Sequence, residues 1–186
     1  MNPTSNKSDF EDLTTNLKDL AYSYLEKYNP SKQQLKIYLL KKYLTKIKGT
    51  KSKKEVTSII DEIVTNLEKN KILSDELYSD SKARMYLRRG YSLNKINQSL
   101  RSKGIDEKFV KQSLEKIKEN QIEPDFVSAL KLCKRRRIGP VRPENNRELF
   151  YKKDMGILAR GGFSFDLSKR VLDLDVKEFN KLIRII

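Results

Sequence analysis

Leu17, Leu20, Ala21, Tyr24, Leu25 and Tyr28 recur at intervals of three and four residues. That spacing puts them on one face of an amphipathic α-helix. Asn29 and Pro30 interrupt it, and Ser31 then stands as an N-cap, with Gln34 as its partner in a capping box. Leu35, Tyr38, Leu39 and Tyr43 line a second helix. The stretch KIKGTKSKKE breaks the pattern as a basic loop, and Val56, Ile59, Ile60, Ile63, Val64 and Leu67 mark a third helix. Three helices with one apolar stripe each predict a small bundle. The polar residues 1–16 read as a flexible arm.

The pattern then repeats. NKILSDELYS, from Asn70, matches NQIEPDFVSA, from Asn120, at Asn, Ile and Asp, with Ser74 opposite Pro124. Ser suits an N-cap and Pro the first helical turn. LRSKGIDEKFVKQSL, ending at Leu114, matches LARGGFSFDLSKRVL, ending at Leu172. Gly104 and Gly162 each fall where a helix should end in a left-handed cap, with Asp106 and Ser164 starting the next helix. The expected units are residues 17–74, 75–123 and 124–186, the last carrying a short C-terminal helix on Val176, Phe179 and Ile183. Gly and Pro are sparse, and β-branched alternation is nearly absent. The predicted fold is all-α: three tandem three-helix repeats in an extended, curved array.

Composition narrows the function. The chain carries 40 Lys+Arg against 25 Asp+Glu, a formal net charge of +15. Such a surface favours a polyanion or an acidic protein as partner. There is no His and only one Cys, Cys133, which leaves no internal disulfide, no His-based pair and no Cys-rich zinc site. A reducing, cytoplasmic setting fits. The N-terminal MNPTSNKSDFEDL lacks the apolar core of a signal peptide, and no apolar run approaches the roughly 20 residues of a membrane span. Gly161-Gly162 lacks the spacing of a phosphate-cradling loop. Cys133 shares an apolar stripe with Phe126, Val127 and Leu130 and reads as core, although Lys134 adjoins it. Asp173 and Asp175 read as a helix end and an N-cap rather than a metal pair. No catalysis, cofactor or metal is expected.

The candidate binding residues are therefore basic. CKRRRIGP places Lys134, Arg135, Arg136 and Arg137 in one unbroken run at a helix end. Successive helical residues turn by roughly 100°, so four in a row fan most of the way round the axis. Helix-end cations interact favourably with the dipole, but that effect does not call for four together. The run reads as an electrostatic contact, fixed by a stop at Gly139-Pro140 and extended by Arg142. Arg84, Arg88 and Arg89 precede it on one helix, with Arg101 and Lys103 on the next. Lys152, Lys153, Arg160, Lys169 and Arg170 follow it. Arginine's planar fork suits phosphate and carboxylate oxygens. Tyr86 and Tyr91 flank Arg88-Arg89, as core residues or as stacking platforms for bases.

These motifs resemble one family in order and spacing. The NKILSDELYS turn, RRGYSLNKINQSLRSKGID, CKRRRIGP and LARGGFSFDLSKRVL are together similar to the RecX family, regulators of the RecA recombinase. The likeness covers nearly all of residues 17–174. The chain departs from the family pattern at its long basic loop and at Ser79, where alanine is usual. The resemblance implies a monomer that lies in the groove of a RecA filament on DNA. It would lower RecA ATP hydrolysis, strand exchange and co-protease activity, in DNA repair and the SOS response. Direct binding to single- and double-stranded DNA would be weaker or filament-dependent. Two other readings stay open: a stand-alone DNA- or RNA-binding helical module, and a helical adaptor for another acidic protein.

Overall fold

A computed structural model of the protein describes residues 3–47 and 52–185. Among the described residues there are ten α-helices and no strand. They are α1 Pro3–Lys27, α2 Lys32–Lys42, α3 Lys53–Lys69, α4 Asp75–Arg88 and α5 Leu93–Arg101. Then come α6 Glu107–Asn120, α7 Pro124–Arg136, α8 Glu144–Arg160, α9 Phe165–Leu172 and α10 Val176–Ile185. The all-α expectation holds. α2 runs on into a π-helical turn, Tyr43–Ile47; of the expected basic loop 46–55, residues 48–51 lie outside the described residues, and Ser52 to Glu55 are not loop but the capping box and first turn of α3.

The chain divides into two compact units. The first runs through Tyr78 and includes Lys103–Ile105. Its core is built from the predicted stripes: Leu17 and Ala21 of α1, Leu35 and Leu39 of α2, and Val56, Ile60, Ile63 and Leu67 of α3. α1 starts well before residue 17, through the segment expected as an arm, and Leu13 joins the core. Leu13 stands four residues before Leu17, on the same helix face, so its burial continues the stripe. The capping box at Ser31 is present: the Gln34 amide donates to Ser31 Oγ at 3.2 Å, and the Ser31 amide to Gln34 Oε1 at 3.1 Å. Ser31 Oγ also donates to the Lys103 carbonyl at 2.8 Å. The Lys32 amide donates to Asp75 Oδ1 at 2.8 Å, so the first residue of α4 caps α2.

The second unit comprises Ser79–Ser102 and the chain from Asp106 onward. α5 packs on α6 through a buried set that includes Ile96, Leu100, Val110 and Ile117. Ser79 donates to the Phe109 carbonyl at 3.2 Å and accepts from Ser113 Oγ at 2.8 Å. The hydroxyl at position 79 is thus satisfied by a second buried serine, as a buried polar group requires. Ala129, Leu130, Leu132, Cys133, Leu158, Val171, Leu172 and Phe179 form a further core from α7, α8, α9 and α10. Again an aspartate caps a helix from afar, the Leu93 amide donating to Asp125 Oδ1 at 2.7 Å.

Gly104 and Gly162 adopt the expected left-handed conformation, with φ of +73° and +87°. Each also sits tight against the start of a helix. A Cβ at Gly104 would lie 2.6 Å from Gln33 Cβ, and one at Gly162 would meet Ser92 Oγ and Lys95. The Ser92 amide donates to the Gly161 carbonyl at 3.2 Å.

Candidate nucleic-acid and protein interface

α7 presents Leu130 and Cys133 to the core and then runs out of apolar residues. Its end is a Schellman motif. The Ile138 amide donates to the Cys133 carbonyl at 3.1 Å and the Arg137 amide to the Lys134 carbonyl at 3.3 Å. The helix therefore stops at Arg136, before the Gly139-Pro140 stop read from the sequence. The left-handed position is filled by Arg137, with φ of +54°, where glycine is the usual occupant. Lys134, Arg135, Arg136 and Arg137 are all exposed, and none forms an ion pair or side-chain hydrogen bond among the described residues.

Arg142 does not extend this run; that expectation is corrected. Its Nε and one terminal nitrogen donate to the two carboxylate oxygens of Asp154 at 2.7 and 2.8 Å. Asp154 is 1% exposed and also accepts from the Gly139 amide at 2.9 Å. The Arg142 guanidinium lies 4.6 Å from the centre of the Phe150 ring. Its fork is spent on holding the turn after α7 against α8. Arg170 is likewise engaged, bidentate to Glu123 at 2.8 and 3.0 Å and 4.1 Å above the Phe126 ring. Lys169 pairs with Asp173 at 3.0 Å and Arg101 with Glu107 at 2.9 Å. Lys103 is half-buried and belongs to the first unit, through its carbonyl bond from Ser31.

Arg84, Arg88, Arg89, Lys152, Lys153 and Arg160 are exposed. Arg84 lies close enough to Asp80 to act on its charge. Burial alone would raise the Asp80 carboxyl, but bonds from Lys116 and Ser113, with Arg84 nearby, hold it below the usual carboxylate range. Lys153 lies 5.6 Å from the Phe150 ring centre.

Three of the expected residues come together. Arg135, Arg136 and Arg160 line a groove of about 380 Å³ with Tyr91 and Lys95. Its remaining walls are Leu132, Ile157 and Gly161, and no carboxylate lines it. Three elements meet here: the start of α5 and the ends of α7 and α8. Their approach is close: a Cβ on Gly161 would lie 3.1 Å from Leu132 of α7, and one on Gly162 would lie 3.0 Å from Lys95 Cβ of α5. Tyr91 stacks on Tyr86 with centroids 5.5 Å apart and planes 8° apart, and both rings are half-buried. Lys95 carried no sequence signal that separates it from other surface lysines. Only the docking of the Gly161-Gly162 turn on the start of α5 brings it to the arginines.

The acidic and thiol groups show no catalytic arrangement among the described residues. Burial, with Asp154 nearby, pushes the Cys133 thiol up to about 12. Asp173 accepts from Tyr151 at 2.9 Å as well as from Lys169, and Asp175 caps α10 by accepting from the Lys177 amide at 2.6 Å. No group of acidic or sulfur side chains able to hold a metal occurs among the described residues.

The chain has relatives. The chain is 33% identical over 161 residues to the regulatory protein RecX of Myxococcus xanthus (strain DK1622), covering 86% of this chain and 85% of that protein. This chain belongs to the RecX family. The regulatory protein RecX of Corynebacterium efficiens is 30% identical over 131 residues, 66% of this chain and 61% of the relative. A family model for RecX, second three-helix domain, matches residues 74–114, which hold α4, α5 and part of α6. A crystal structure of regulatory protein RecX shares the fold with a TM-score of 0.63 at 22% identity, over 94% of this chain and 79% of that one. No described helix of this RecX-family chain is long and apolar enough to cross a membrane.

Proposed function

We propose that this RecX-family chain works as a monomer in the cytoplasm, binding in the groove of a RecA–DNA filament and inhibiting RecA without catalysis of its own. The observation that carries the reading is the family relationship over most of the chain. The exposed cations of Lys134–Arg137, Arg88 and Arg89, which form no ion pair among the described residues, suit a partner that mixes acidic protein surface with phosphate. The outputs would be lower ATP hydrolysis, strand exchange and co-protease activity by RecA. We further propose that the helices form three repeats, 17–74, 75–123 and 124–186. The paired caps at Asp75 and Asp125, which occupy matching positions of the two turn sequences, support the first two.

The test is RecA ATPase on single-stranded DNA, titrated with this protein at two salt concentrations. Dose-dependent loss of hydrolysis is expected, and hydrolysis unchanged at saturating protein sinks the reading. The exposed, unpaired arginines also favour a second reading, a stand-alone nucleic-acid-binding module. Tight, steeply salt-dependent binding to naked DNA with no gain on RecA-coated DNA would select it.

A further inference from the structure

We propose that the groove between the start of α5 and the ends of α7 and α8 seats one nucleotide of a single strand. Arg135, Arg136 and Arg160 take its phosphate, and its sugar and base lie against Tyr91. The inference deepens the filament reading, which supplies the source of the strand.

Four cations converge on this groove, counting Lys95, and none of the four is ion-paired among the described residues. Cations elsewhere in the same unit, such as Arg101, Arg142 and Arg170, have carboxylate partners. Like charges held together without counter-charge repel, and a bound anion offsets that repulsion. The volume of about 380 Å³ falls within the roughly 300–1,000 Å³ of small-ligand pockets.

The hydrogen-bonding character of the lining selects the anion. Guanidinium and ammonium groups only donate. The Gly161 carbonyl already accepts from the Ser92 amide. An acidic peptide would bring carboxylates that fit the arginines, but also backbone N–H groups that need acceptors. A phosphodiester backbone only accepts, so it matches the four donor-only cations that dominate the lining. Leu132 and Ile157 add apolar wall, and the Tyr86 stack fixes the plane of Tyr91 as a platform. A duplex keeps its bases inside and cannot use that platform, so the ligand is a single strand.

The test is titration of ¹⁵N-labelled protein, without RecA, with thymidine 5′-monophosphate, inorganic phosphate, thymidine and a hexaglutamate peptide. Saturable shifts of the Gly161 and Tyr91 amides are expected with the monophosphate, weaker ones with phosphate and none with thymidine. Arg160→Gln, at an exposed position, should lower affinity for oligothymidylate at least tenfold with unchanged circular dichroism. Arg89→Gln, outside the groove, should cost less. Absent shifts at Gly161, undiminished binding by R160Q, or tighter occupancy of the same amides by hexaglutamate would overturn the seat. Absent shifts with intact RecA inhibition defeat the seat alone. Saturable shifts with no effect on RecA support the seat and defeat the filament reading alone.

Discussion

Arg137 and Arg142 show two uses of an arginine within one turn region. Arg142 is held by a buried carboxylate, and its removal would leave Asp154 buried with its guanidinium partner gone. Arg142→Ala should therefore destabilise the fold by about 3–5 kcal/mol, read as a lower urea midpoint at constant slope. Arg137 instead holds a left-handed backbone that costs a non-glycine residue about 1 kcal/mol or more. Arg137→Gly should raise the melting temperature while weakening filament binding; a lower melting temperature would show that the side chain supports the fold. Asp80 adds a pH dependence. Its folded pKa is depressed, so its stabilising share is present above the ordinary carboxylate value and is lost as pH falls through the folded one. Asp80→Asn should flatten acid unfolding below about pH 4, measured as stability against pH. The sequence told these residues apart poorly. Lys134–Arg137 stood out because four cations adjoin, but the carboxylates that engage Arg142 and Arg170 lie 12 and 47 residues away in the chain.

Helices and turns were more legible, because periodic burial and capping are local. The stripes of α1, α2 and α3 are the core of the first unit, and the Ser31 box and the Gly104 and Gly162 caps are where the pattern put them. Two ends were misplaced. α1 begins at Pro3, since its first turns hold few apolar residues, and α7 ends at Arg136, since no glycine marks its left-handed cap. What local pattern could not supply is which turn rests on which helix start. Gly104 tests that contact: valine there meets both a positive φ and the base of the Gln33 side chain. Gly104→Val should lower stability by about 2 kcal/mol, and an unchanged melting temperature would remove Gly104 from its cap.

For the whole molecule the formal net charge of +15 sets the long-range behaviour. Binding to a single strand should weaken with salt at a log–log slope of about −0.7 per phosphate contacted. The double variant Arg135→Gln, Arg136→Gln should flatten that slope by about 0.7, the share of the one phosphate the two arginines help to seat. A slope identical to wild type would place the strand elsewhere on the surface. Net charge was open to view in the sequence; its concentration into a groove was not, because the groove draws on α5, α7 and α8.

The seclusion of Cys133 has a practical corollary. A lone sulfhydryl that stays protonated and walled off at neutral pH is deaf to alkylating reagents until its surroundings part. Iodoacetamide uptake would then clock how often the α7–α9 core breathes, with no engineered label, and docking onto a filament should slow that clock if the basic end of α7 is what docks.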